Sequence, residues 1–266
     1  MIDHIRCEGA PRDLGLDQGT ACRDAIRDEV GTQSWRAVAV RLGLASPRLP
    51  LARDLARHFP HLAERTAGLA AGAGVQLEAL IGLLARELGR PEDCALLDAG
   101  AAPAAPRLCV SLRSALAVVV RVTRPDGGYP NLTLIRPGLA AALAGVNEAG
   151  LAAAAVPLGP PDPDEPCQAP GLLLVEGCLE RLDAVEKALE WCERRPGGGR
   201  GRLLFVDASG ARGAVELEGE KRRRIEMPPP APVAGAPSAR IDALARCLEI
   251  ERSGAPALRV SLDGEG

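Results

Sequence analysis

Aromatic side chains are almost missing: Phe, Trp and Tyr together make up 2% of the 266 residues. A core must therefore be built from Leu, Val and Ala, and stacking on nucleic-acid bases has almost nothing to work with. Histidine is scarce as well, with only His4, His58 and His61. None stands at metal-ligand spacing from a cysteine, and the eight cysteines contain no C-x-x-C, so neither a metal nor a cofactor is expected. No charge-free apolar run reaches the ~18 residues of a spanning helix. The opening "MIDHIRCEGAPRD" lacks the apolar stretch of a signal peptide. Free thiols in a reducing cytoplasm are the expectation. A surplus of positive charge is lacking too. The net charge is −3, which offers nothing to nucleic acid or to an anionic membrane. The one basic run, "EKRRRIE" at 220–226, is bracketed by acids and reads as a solvated turn or strand end.

What is present is ordinary for a globular protein: 47% hydrophobic and 25% charged residues. The first third reads as helical. Helices are expected from about Gly15 to Arg41, over 50–70 and over 76–88, where Leu77, Leu80, Ile81 and Leu84 share a face. His58 and His61 flank Pro60 at a helix start and read as solvated or capping residues. The middle changes character. "ALAVVVRVTR" and "NLTLIRPG" read as a hairpin about "PDGGYP", and "AALAGVNEAGLAAAAV" as two strands about "NEAG". One long amphipathic helix is expected over 171–194, a hairpin in "LLFVDASGARGAVELEG", a helix over 238–251 and a last strand in "ALRVSLD". Helices and strands in separate runs give an α+β class with stacked layers. The chain reads as a single domain, 1–266, with a mostly helical part at 1–93 and a sandwich part at 94–266.

Four segments fall into one pattern: "EGAPRDLGLDQGTACRDAI", "AGLAAGAGVQLEALIGLLAREL", "AGVNEAGLAAAAV" and "LLFVDASGARGAVELEG". In order and spacing they resemble the acyl-coenzyme A:6-aminopenicillanic-acid acyltransferase family (peptidase family C45), over about residues 6–220. The resemblance implies an N-terminal-nucleophile hydrolase with an αββα four-layer sandwich. It also implies that 1–93 is propeptide-like, that the chain cuts itself before Cys94, and that the new N-terminal Cys attacks a carbonyl. Asn147 in "GVNEAG" matches the family's Gly-x-Asn-x-x-Gly-Leu and would be the oxyanion donor. Read without the family, the same Asn is a turn residue.

The chemistry is coherent on its own terms. A free thiol has a pKa of about 8.5 and needs a base at neutral pH. An α-amino group, with a pKa of about 7.7–8.0, can take that proton itself, so no histidine is required. An Asn carboxamide can donate to the developing oxyanion. Four departures stand against the pattern. The family's Gly-Cys-Thr is Asp93, Cys94 and Ala95 here, and its Asn-x-Asp is matched by Ser111, Leu112 and Arg113. Asp93 resists the strained backbone that Gly permits. Arg113 lowers the pKa of a nearby thiol and ammonium but accepts no hydrogen bond. Three readings stay open. One is an amidase or acyltransferase on small linear amides, with Cys94, Asn147 and Arg113 at the site. Another is a non-catalytic relative that binds a small ligand or serves a structural role. The last is an ordinary α+β protein in which Cys94 is structural. A small acyl or amide substrate is the expected partner, with no nucleic acid and no membrane; a homo-oligomer is compatible with the sequence.

Overall fold

The computed structural model describes residues 4–31, 48–87, 94–98, 106–112, 118–159, 169–228, 238–252 and 255–262. Eight strands form the larger sheet: β1 (His4–Gly9), β4 (Val119–Pro125), β5 (Asn131–Ile135), β6 (Ala142–Asn147), β7 (Ala152–Gly159), β8 (Arg200–Val206), β9 (Arg212–Glu218) and β10 (Lys221–Ile225). They lie in that spatial order. β1 runs parallel to β4, and each later neighbour is antiparallel. The tight turns follow from local chemistry. Gly150 closes the β6–β7 turn at φ +83° and Gly210 the β8–β9 turn at φ +87°, backbone that glycine adopts without strain. β5 and β6 are buried along their whole length. A sheet covered on both faces selects near-continuous apolar runs instead of alternation.

The smaller sheet has the order β13 (Ala255–Ser261), β12 (Cys247–Arg252), β11 (Ser238–Asp242), β3 (Arg107–Leu112) and β2 (Cys94–Asp98). Leu108, Val110, Ile241 and Leu248 on one side of it pack against Val120, Leu132, Val146 and Leu204 of the larger sheet. Its other side carries charge, with Arg107 facing Asp242 at 3.4 Å and Arg240 facing Glu249 at 3.6 Å.

The helices pack on the opposite side of the eight-stranded sheet. They are α1 (Pro11–Ala21), α2 (Arg23–Gly31), α3 (Arg48–His58), α4 (Pro60–Ala73), α5 (Leu77–Glu87), α6 (Leu172–Arg181) and α7 (Val185–Arg194). α1 and α4 meet backbone to backbone through Gly15, Gly19, Gly68 and Gly72. A Cβ on Gly15 would stand 1.9 Å from the Arg65 carbonyl oxygen, and one on Gly68 would stand 2.0 Å from that of Arg12. The class is α+β with stacked sheets, as expected. Of the αββα layers, the described residues supply three: helices, large sheet, small sheet.

Several local expectations are corrected. The helix expected over 171–194 is two, α6 and α7, parted at Leu182–Ala184. The helix expected over 50–70 breaks at Phe59, because Pro60 starts a new one at its first turn. Residues 238–251 are no helix but the strands β11 and β12. Ala239 and Ile241, then Leu248 and Ile250, are buried at alternate positions, and pairing with β3 and β13 overrides local helix preference. The basic run at 220–226 contains a full edge strand, β10. Part of the helix expected to reach Arg41 lies outside the described residues. Residues before Cys94 are built into the sandwich, since β1 is a strand of the large sheet. Among the described residues no single helix is long and apolar enough to cross a membrane. The bent pair Pro60–Ala73 and Leu77–Ala85 passes only when both parts are taken together.

Candidate functional site

Cys94 is the first residue of β2 and lies opposite Leu112 in the ladder; Leu96 lies opposite Val110. Directly opposed residues share a face. In the β2–β3 ladder Cys94 thus stands two register positions from the Leu96–Val110 pair. Cys109, the nearest rival thiol in sequence, alternates with the buried Leu108 and Val110 along β3 and is half-buried. Asp93 and Arg113 lie outside the described residues.

Asn147 ends β6 in the other sheet. Its Nδ2 donates to the Leu179 carbonyl at 2.9 Å and to the Leu182 carbonyl at 2.7 Å. Its Oδ1 accepts from the Leu151 N–H at 2.9 Å. A carboxamide has two donor hydrogens, and both are spent on closing the C-terminal end of α6. The side chain also lies on the helix side of the large sheet, whereas Val146 and Ala144, at odd offsets from it along the strand, face the small sheet. Asn147 thus points away from the layer that holds β2. Its geometry is that of a turn residue that closes the end of α6.

The strongest electrostatic feature lies between the helices and the large sheet, and the sequence reading missed it. Arg65 of α4 and Arg121 of β4 both reach Oε1 of Glu176 on α6, each at 2.5 Å. Arg65 also meets Glu180 at 2.9 Å, and Arg121 donates to Oε1 of Gln18 at 2.9 Å. Gln18 in turn donates to the carbonyls of Pro137 and Leu139. Two guanidinium groups and two acidic side chains meet in a buried knot that, with Gln18, ties α1, α4, α6 and β4 together. The signal was present as a charge inside an apolar run, "VVVRVTR" and "LLLVEGCLE", though nothing in sequence names the partners. His61 lies 3.6 Å from Glu180 and is not a solvated residue. Burial, then Arg181, pushes His61 down to about 4. Burial, opposed by Arg65, pushes the Glu180 carboxyl up. Both move toward their uncharged forms.

Cys7, Cys22 and Cys178 are poor nucleophiles as they stand. Burial pushes Cys7 up to about 11, against the pull of Arg121 and Arg65, and pushes Cys22 to about 11. Cys178 is raised as well, again by burial first. Among the described residues no group of three or more His, Cys, Asp or Glu could hold a metal. A small apolar recess of about 40 Å³ lies between β7, β8 and the start of α6, walled by Leu143, Ala155, Leu172, Leu203 and Leu217. A more open cleft follows α7, where Arg195 covers Trp191 at 5.0 Å from the ring centre. Neither is lined by Cys94 or Asn147.

These features define an α+β protein of two stacked sheets with a cysteine as the first residue of β2. A scan against protein-family models finds no match, and no curated protein matches. Among solved structures the chain is similar to penicillin V acylase from Agrobacterium tumefaciens. The two are 14% identical at a TM-score of 0.44, over 64% of this chain and 86% of that one. At that score the likeness carries no argument for the chemistry of this chain.

Proposed function

We propose that the chain is a hydrolase or acyltransferase of the N-terminal-nucleophile type that acts on linear amide bonds through Cys94. The observation that carries this reading is the position of Cys94. It is the first residue of β2, opposite Leu112 in the ladder of the smaller sheet. Four segments in the order of the C45 family support it. In this reading the peptide bond before Cys94 is cut, the freed α-amino group takes the thiol proton, and the thiolate attacks the substrate carbonyl. Both Nδ2 hydrogens of Asn147 hold α6 in this structure, so for Asn147 to serve as the oxyanion donor at least one of them must be released. Backbone N–H groups near β2 are the further donors, and Arg113 follows Leu112, the ladder partner of Cys94.

A second reading, a relative that has lost catalysis and kept the fold, is favoured by the engagement of Asn147 and by Asp93. One measurement separates the two: the mass of the purified chain in denaturant, with release of amine from small N-acyl substrates assayed in parallel. Two fragments meeting between residues 93 and 94, with turnover abolished in Cys94→Ala and largely kept in Cys109→Ala, support catalysis. An uncut chain without turnover supports the lapsed reading.

A further inference from the structure

Two thiols unrelated to Cys94 stand in contact. The Sγ atoms of Cys178 on α6 and Cys192 on α7 are 3.5 Å apart, and both residues are fully buried. A disulfide needs the sulfurs at about 2.05 Å, a difference that small rotations of the two side chains can close. The short connection between the helices is held at both ends, so the two sulfurs stay near one another even when α7 lifts. Asn147 takes the Leu179 and Leu182 carbonyls on one side. Asp207 Oδ2 accepts the Val185 N–H at 3.0 Å on the other. The folded chain has thus already brought the two sulfurs together, so the entropy of closing the loop is met by folding itself.

We infer that Cys178 and Cys192 form a paired redox site that closes into an intrachain disulfide on exposure to a small peroxide, fastening α6 to α7. The balance is complete with hydrogen peroxide as oxidant. One thiolate attacks a peroxide oxygen, giving a sulfenic acid and expelling hydroxide, which takes up the proton that thiol released. The second sulfur displaces that oxygen as water and gives up its own proton. In sum two thiols and one peroxide yield one disulfide and two waters. The closed site resists this, since burial keeps the Cys178 thiol protonated. The reaction therefore runs through openings of α7. That helix buries only Val185, Ala188, Leu189 and Cys192 and leaves its other face in solvent, so it is among the elements that can lift without global unfolding.

The test uses the reduced full-length chain. It is treated with hydrogen peroxide, unfolded in the presence of an alkylating reagent, and digested without reductant. Six of the eight cysteines should carry the alkyl group. The peptides holding Cys178 and Cys192 should be joined, with the mass of two hydrogens missing. Trp191 lies beside Cys192 and packs over Gly177, so its fluorescence should fall as the bond forms and recover with dithiothreitol. Cys192→Ala should leave Cys178 without a cross-link. The wild-type peptide map decides the matter even if that variant folds poorly. Alkylation of both residues while other cysteines oxidise, or a bond from either one to a third cysteine, would overturn the proposal.

Discussion

At the scale of the residue, the buried charges give the sharpest expectations. Glu176→Gln removes the carboxylate that two guanidinium groups share, leaving a buried cation short of a partner. Breaking such a group from one side costs about 3–5 kcal/mol, readable as a lowered urea midpoint. Asn147→Ala strips three hydrogen bonds and leaves two carbonyls and one N–H unpaired. At about 1–3 kcal/mol for each abandoned buried group, the loss should appear in stability whether or not the chain is an enzyme. His61 gives a pH dependence with a definite sign. Its folded-state pKa, about 4, lies below the ordinary value of 6.5, so the unfolded chain binds more protons between those values. Stability from His61 is complete above pH ~6.5 and is lost as pH falls toward ~4. Glu180 works the other way, because a raised carboxyl pKa favours the folded state most at low pH. The difference between wild type and His61→Gln isolates the histidine. Its slope should be positive across that window, and a flat difference curve would contradict the burial of His61. Sequence made the scarcity of histidine plain but not this contact, since His61 and Glu180 lie on different helices.

At the scale of the element, what could be read followed the strength of local signals. The pairs β4–β5, β6–β7 and β8–β9 were legible because Gly, Asp and Asn mark their turns and their apolar runs are short. β1 was not, because its partner β4 lies far along the chain, and β2 was not, because its short run "CALLD" shows no alternation. "SARIDALARCLEIE" fits a helical stripe and a pair of alternating strands about equally, and only β3 and β13 choose between them. The α1–α4 crossing was likewise hidden, because glycines spaced four apart in sequence do not name the helix they meet. The contact itself makes a firm expectation. Gly68→Ala puts a methyl group into the Arg12 carbonyl, and the helices must separate. Overpacking costs about 1–3 kcal/mol, and this clash, being with backbone, should reach the upper end. Gly31→Ala meets nothing within 4 Å and should leave the melting temperature nearly unchanged. Equal effects of the two substitutions would show that close approach is not what glycine supplies at position 68.

At the scale of the whole molecule, the issue is whether the residues before Cys94 can leave once the chain is cut. Three ties hold them. β1 pairs along its full length with β4. α1 and α4 supply Leu14, Leu62 and Leu69 to the core they share with α6. Arg65 reaches across to Glu176 and Glu180 with its guanidinium fully buried. Removing the first part would leave those two carboxylates buried with only Arg121 to balance them and would expose the large sheet's helix side. The cut chain should therefore stay one particle. A nick between Glu87 and Cys94, whether made by the protein itself or through an inserted protease site, should give two bands in denaturing gels. Native gel filtration should still show a single peak, with the circular dichroism of the uncut chain. Denaturant should then separate the parts in one transition, at a lower midpoint than for the uncut chain, since the nick frees the unfolded chain from one covalent constraint. Separation of the two parts in native buffer would mean that β1 and the Arg65 bridge are peripheral, and that the part beginning at Cys94 folds alone.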